Sequence, residues 1–221
     1  MGIDEIKTRG IVLDNAPQNE YDKRLVILTT DLGRITVFAN GARRAGSRYA
    51  AVSQRFVMAE FTLRAGRNSY TLTKATIIRP FIELSEDIEK MCYASYMCEL
   101  TSYFTREGLA AKDELNLLYV SFVAILAGEL PEKLIRCIFE CKILDIEGEG
   151  FQIEEYKKHG GHLSTTAEYT ISYILSRELT ELYDFNLKPE VLEEISDIIF
   201  TYTKKHCDYK FKSLDILTSL G

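Results

Sequence analysis

The sequence predicts an α+β chain in which a small basic β-barrel precedes an acidic all-α bundle. Three observations predict it. Over residues 1–80 the apolar residues recur with period 2, in short β-branched runs broken by glycine-bearing turns, whereas from Leu84 onward the period is 3.6. The charge changes sign at the same place. Residues 1–80 hold 13 Lys+Arg against 7 Asp+Glu, a net +6, and residues 81–221 hold the other 14 against 26, a net −12, which together give the overall −6. Pro80-Phe81 lies at the change and is the expected junction, giving domains 1–80 and 81–221.

Five strands are expected in the first part. Ile11-Val12-Leu13 marks one, and the apolar run Leu25 to Thr30 ends at the turn Asp31-Leu32-Gly33. Arg34 to Ala39 alternates, with Ile35, Val37 and Ala39 on one face, as do Val57, Ala59, Phe61 and Leu63. Tyr70 to Ile78 follows the turn Ala65-Gly66-Arg67-Asn68. Five short strands in this length suit an OB-fold, a partly open barrel whose strand face and loops bind single strands; periodicity suits an SH3-like barrel almost as well.

The connection from Asn40 to Gln54 is the most informative stretch. Arg43, Arg44 and Arg48 are followed by Tyr49, and Gly41 and Gly46 permit positive φ. Guanidinium groups contact phosphate through forked hydrogen bonds, and a tyrosine ring offers a base a stacking surface. Gly41-x4-Gly46-Ser47 keeps the glycine spacing of a P-loop. Ser47 stands where its lysine belongs and no helix opens there, so nucleotide hydrolysis is rejected.

In the second part, Ser85 is placed to cap a helix whose first turn holds Glu86 and Asp87, with Met91, Ala94, Ser95, Cys98 and Ser102 on one face. Leu115, Leu118, Phe122, Ile125 and Leu126 mark a second helix, and Pro131 and Pro189 are expected at N1 of two others. Helices are also expected over about 168–183 and 189–205, with a short amphipathic end over 212–220 and a small non-helical insertion over about 145–168.

Phosphate repels so acidic a bundle. Its basic exception, Lys204, Lys205, Lys210 and Lys212 with His206, suits an acidic peptide tail if an apolar pocket adjoins it; the same cations also complete a helix C-terminus. Phe200, Tyr202, Tyr209 and Phe211 either line such a pocket or belong to the core.

Catalytic motifs are missing: the chain has no GxSxG, HExxH or CxxC, and Glu147-x-Glu149 and Glu154-Glu155 lack a metal-site framework. No catalytic residue is assigned. No apolar run approaches the roughly 20 residues of a membrane span. Met1 to Glu5 lacks a secretory pattern, and Ile6 stands where a myristoylation signal needs Ser or Thr. Cys92, Cys98, Cys137, Cys141 and Cys207, odd in number and set in apolar periodic segments, read as reduced buried thiols of a cytoplasmic protein.

An ordered set of segments resembles the RecO family. Arg9-Gly10-Ile11-Val12-Leu13, Tyr21-Asp22-Lys23-Arg24-Leu25, Thr29 to Ile35, and Asn40-Gly41-Ala42-Arg43-Arg44 with Ser47 are similar to its N-terminal domain. Tyr93 to Leu100 resembles the first helix of its second domain, and Lys212-Ser213-Leu214 with Leu217 its ending. The resemblance implies an OB-fold, a helical second domain and no catalytic site. It also implies binding of single- and double-stranded DNA, annealing of complementary strands, and partnership with RecR and the C-terminal tail of single-stranded DNA-binding protein (SSB). Through these, and with RecF, the family helps load RecA onto gaps.

Lys23, Arg24, Arg34, Arg43 and Arg44 match the family's basic positions; Arg48, Tyr49, Arg64 and Arg67 join them on local charge and strand placement. One departure concerns zinc. Many relatives carry two CxxC pairs in the second domain, whereas residues 145–168 here contain no cysteine and keep only Gly160-Gly161 and His162. A substitute set of Cys137, Cys141, His159 and His162 is weighed against buried thiols on a helix face, and no cofactor is expected. Two rival readings remain: an OB-fold RNA-binding accessory protein, and an adaptor whose barrel binds an acidic protein.

Overall fold

Strand β1, Glu5–Pro17, is longer than the apolar triplet that announced it, because its pairing continues into polar residues at both ends. It pairs antiparallel with β2 (Lys23–Thr29) along one edge and with β4 (Met58–Ala65) along the other. With β3 (Gly33–Ala39) and β5 (Tyr70–Arg79) the sheet closes as β1-β2-β3-β5-β4, the order of an OB-fold, so the alternative SH3-like barrel falls away. The computed structural model describes residues 5–220, and side chains as far as Ile216 and Leu217; the readings on Met1 to Asp4, and on the side chains closing the amphipathic end, lie outside them.

A bulge between Val12 and Asp14 explains three consecutive apolar residues in β1. The extra residue, Leu13, breaks the alternation, so Ile11, Val12 and Leu13 are all buried. The barrel interior is filled by Val12, Leu25, Ile27, Ile35, Val37, Ala59, Phe61, Leu63 and Leu72. Ile35, Val37, Ala59, Phe61 and Leu63 are the inward half of alternating strands, as expected.

The chain divides into two compact units, Met1–Leu115 and Asn116–Gly221. The first unit therefore runs past the expected junction at Pro80-Phe81. A 3-10 turn at Ile82–Ser85 and helix α1 (Ile88–Phe104) belong to it, and α1 packs on β1 and on that turn. Asp87, not Ser85, caps α1: its carboxylate accepts the Lys90 N–H at 3.0 Å, while Ser85 is consumed in the 3-10 turn. Phe81 turns the chain with φ +48° and is fully buried beneath the Arg79 guanidinium, 4.9 Å from its ring centroid. Burial of the ring, worth about 1.5–3 kcal/mol, offsets the backbone strain there.

In the second unit, α3 (Glu132–Ile146) packs on α5 (Thr165–Ser176) and α6 (Pro189–His206); the division itself falls in the first turn of α2 (Lys112–Ala127). Pro189 occupies N1 of α6 as expected, whereas Pro131 stands one position earlier, at the N-cap of α3. The insertion is not wholly non-helical. Ile153–Lys158 forms α4, whose first turn holds Glu154 and Glu155 and whose last holds Lys157 and Lys158, complementing the helix dipole. α5 begins before the expected Glu168 because Ser164 Oγ accepts the Ala167 N–H at 3.1 Å, and it stops at Ser176 because Arg177 is extended. α7 (Lys212–Leu220) completes the helices.

Gly33 is the tightest point of the first unit. Its φ is +67°, and a Cβ there would lie 2.0 Å from the Arg106 carbonyl oxygen and 2.4 Å from that of Leu109. Gly33→Ala is expected to destabilise the barrel unit by more than about 1 kcal/mol, read as a fall in the urea midpoint.

Candidate nucleic-acid interface

The connection after β3 is a chain of tight turns, Arg44 N–H to Gly41 O, Ser47 to Arg44 and Ala50 to Ser47, each about 3.1 Å. Its apolar members face inward: Ala42, Tyr49, Val52 and Val57 join the barrel core and plug one end of it. Tyr49 therefore cannot present a face to a base as expected. Its ring is only 9% exposed, its hydroxyl donates to Thr73 O at 2.8 Å, and Arg48 lies over it at 4.7 Å while donating to the same hydroxyl. A barrel end needs a large apolar stopper, and that demand outweighs the local context of arginines that made Tyr49 look like a stacking ring.

The polar members face outward and meet the β1–β2 turn. Asp22 fastens them: its Oδ1 accepts the Gly41 N–H at 2.7 Å and its Oδ2 the Asn19 amide at 3.2 Å. The Gly41 N–H, then Asn19 and the Arg44 charge, hold the Asp22 carboxyl below the usual carboxylate range. Arg43 donates its backbone N–H to Tyr21 O at 2.9 Å and an Nη1 proton to Asn19 O at 2.8 Å. The Arg44 guanidinium stands 5.1 Å from the centroid of Tyr21, a ring 44% exposed. Lys23 donates to Ser53 O at 3.3 Å; burial first, and then the Arg43 charge, lower its pKa. Lys23, Arg43 and Arg44 thus share one end of the barrel with Tyr21, whose ring is exposed where that of Tyr49 is buried. An aromatic within the polar run Gln18-Asn19-Glu20 was the available signal.

Strand register arranges a second set beside it. Arg24 pairs with Phe38, Phe38 with Thr71, and Thr71 with Arg64, a row across β2-β3-β5-β4. Directly paired residues share a face, and the residues adjoining them along the strands, Leu25, Val37, Leu72 and Leu63, are buried, so this row lies outside the barrel. It places two guanidinium groups about three strand spacings, or ~14 Å, apart, with the half-buried ring of Phe38 between them. Alternation alone marks Phe38 only as an outward position. Arg67 is exposed in the β4–β5 turn.

Arg34 is not brought to this surface. It lies four positions from Phe38, about 13 Å along β3, where its Nε donates to Thr105 O at 3.0 Å and its backbone N–H to Arg106 O at 3.3 Å. There it fastens the segment after α1 to the barrel.

In the second unit, Lys204 and Lys205 are exposed on the last turn of α6, with Lys204 Nζ 4.3 Å from the Phe200 ring centroid. Lys210 is already paired with Asp215 at 3.1 Å, and Lys212 opens α7. Phe211 is buried and Tyr209 is 51% exposed, their rings meeting edge to face.

The weighed zinc ligands are not assembled. Cys137 and Cys141 are fully buried in α3, while His159 is exposed with Nδ1 on Glu155 O, and among the described residues no three His, Cys, Asp or Glu converge as metal ligands. The segment is held by packing and ion pairs instead. Phe151 meets Tyr156 and Tyr202 at 5.2 and 4.9 Å, Lys157 pairs with Glu168 at 2.5 Å, and Ser164 donates both N–H and Oγ–H to Glu194 at 2.7 Å. Among the described residues no helix is long and apolar enough to cross a membrane.

Two family models match the chain: Recombination protein O N terminal over residues 1–81 and Recombination protein O C terminal over residues 85–155. A DNA repair protein RecO of Caldicellulosiruptor bescii is 33% identical, covering 90% of this chain and 82% of the relative. Proteins of the same name from Clostridium kluyveri and Alkaliphilus metalliredigens are 26% and 28% identical over 97% and 96% of the chain. A closed five-stranded barrel with a cationic cluster at one end, a helical second part, and relatives matched along nearly the whole length lead to one assignment: the chain belongs to the RecO family.

Proposed function

We propose that this protein serves DNA repair and recombination as a mediator that binds single- and double-stranded DNA and anneals complementary strands. The observation that carries the reading is the cluster of Lys23, Arg43 and Arg44 with the exposed Tyr21, locked by Asp22 at one end of the barrel. Arg24 and Arg64 extend it, with Phe38 between them as a second ring. Cations neutralise phosphate and release counterions, while the rings accept bases without regard to sequence. Two strands neutralised on one protein repel each other less and pair faster. Arg48 and Arg67 lie at the margin, and Arg34 contributes through the fold. Residues 1–80 form the DNA-binding part of this reading.

The second part recruits proteins: RecR, and the acidic C-terminal tail of SSB on Lys204, Lys205 and Lys212, with RecA loaded indirectly and RecF assisting. Lys210 joins that dock once its pair with Asp215 opens. The protein acts without a catalytic centre or cofactor, in the cytoplasm.

Four outcomes are expected. Arg43→Glu/Arg44→Glu, its fold verified by circular dichroism, should slow annealing of SSB-coated complementary oligonucleotides at least tenfold, the equivalent of about 1.4 kcal/mol; equal rates would refute the assignment of the loop. Asp22→Ala should weaken oligonucleotide binding although it removes a negative charge, because Gly41 and the arginine turn lose their anchor. The wild-type anchor should hold above the ordinary carboxylate range and fail as pH falls through the lowered Asp22 value, since the folded state favours the ionised form. EDTA should leave the thermal midpoint unchanged, because aromatic packing and the Ser164–Glu194 contacts hold residues 151–168.

A further inference from the structure

Sheet register builds another cationic surface on the barrel, away from the loop cluster. Lys7 pairs with Thr62 and Thr62 with Lys74, one row across β1-β4-β5; Arg9 pairs with Glu60 and Glu60 with Thr76, the next row. The alternate residues Thr8, Phe61 and Ala75 face inward or are packed, so these rows stand outside, about 6.7 Å apart along the strands. Lys112, at the start of α2 and within the same unit, completes a groove of about 530 Å³. Four cations line it against two carboxylates, Asp31 and Glu60. Asp31 accepts the Thr30 hydroxyl at 2.7 Å and the Thr8 hydroxyl at 3.4 Å. Among the described residues, no ion pair within 4.0 Å engages Lys7, Arg9, Lys74 or Lys112.

We infer that this groove holds the phosphodiester backbone of a second single strand while the loop cluster holds the first. The inference rests on the DNA-binding reading above and deepens it. The floor favours a polyanion over an acidic peptide. Its lining is mainly threonines and charged groups, with Phe61 and Ala75 the apolar members, whereas a peptide dock needs an apolar pocket for its side chains. The cations flank it about two strand spacings, ~10 Å, apart, the width of one backbone and not of a duplex. The only aromatic ring lining it, Phe61, is buried, so bases are left unstacked and free to pair. Strand β1 separates the two surfaces: Arg9 lies in the groove, and Pro17, eight positions on, pairs with Lys23 beneath the loop cluster, up to about 26 Å away. Two strands held so are kept apart until their loose ends meet, which suits annealing better than one shared site.

The test compares the full-length wild type with Lys7→Glu/Lys74→Glu/Lys112→Glu and with Arg43→Glu/Arg44→Glu, using a short fluorescent oligothymidylate. All three substituted lysines are exposed, and circular dichroism verifies the fold. The wild type should bind two oligonucleotides per protein and the groove variant one, with the salt slope of log K reduced by about 2 for three lost single-strand phosphate contacts. The groove variant should also anneal at least tenfold more slowly, and Lys7→Arg/Lys74→Arg should retain both strands. A groove variant that keeps two strands, the slope and the annealing rate overturns the inference. So does a wild type that binds one strand, lost only with Arg43 and Arg44, which leaves the DNA-binding reading standing. A wild type that binds no oligonucleotide overturns both.

Discussion

Strand β1 is paired along its whole useful length, with β2 on one edge and β4 on the other, and the rest of the barrel follows from that double pairing. A five-stranded sheet left open would expose two edges and half a core; closure through β1 removes both edges. It also imposes register. Because side chains alternate with period 2, fixing Lys7 opposite Thr62 and Arg9 opposite Glu60 decides at once which residues fill the interior and which cations stand outside. The bulge after Val12 is where the strand turns from one regime to the other: before it the outward residues are polar, and at it three apolar residues in succession are buried.

The segment from Asn40 to Val57 shows how one stretch can serve core and surface together. Ala42, Tyr49, Val52 and Val57 close the barrel end, and their burial orders the turns that carry Arg43 and Arg44. A cationic loop free in solution would lose conformational entropy on meeting phosphate. Here the plug and the Asp22–Gly41 hydrogen bond have already imposed that cost during folding. The like charges of Lys23, Arg43 and Arg44 are tolerated because the Ser53 and Asn19 carbonyls accept from Lys23 and Arg43 and the Tyr21 ring lies under Arg44.

In the helical unit, residues 150–168 are held by a stack running from Tyr156 through Phe151 to Tyr202 and His206, with the Tyr202 hydroxyl reaching Gly150 O. Gly161 allows the ring of Tyr156 to lie against the backbone; a Cβ there would fall 2.3 Å from it. Gly161 therefore has a packing reason of its own, and Gly160 a conformational one, its φ being +84°.

The barrel, the helical half and most of the interior were legible in the order of residues, because alternation and helical periodicity are local and the core only collects what they mark. The basic loop, too, could be read as a site from Arg43 and Arg44 alone. What local pattern cannot carry is which neighbour a side chain meets. Tyr49 and Tyr21 are both tyrosines near arginines, yet one stops the barrel and the other stands in solvent with Arg44 over it. Arg34 and Arg24 each stand second in a strand of the same hairpin, yet one is tied to Thr105 and the other is set in a row with Phe38 and Arg64. Lys7, Arg9, Lys74 and Lys112 are scattered across more than a hundred positions and become one groove only when β1, β4 and β5 pair. Sequence determined the classes of element and their faces, since those depend on residues a few positions apart. Tertiary structure decided the sites, since these depend on strand register and barrel closure, which join residues that no local period connects.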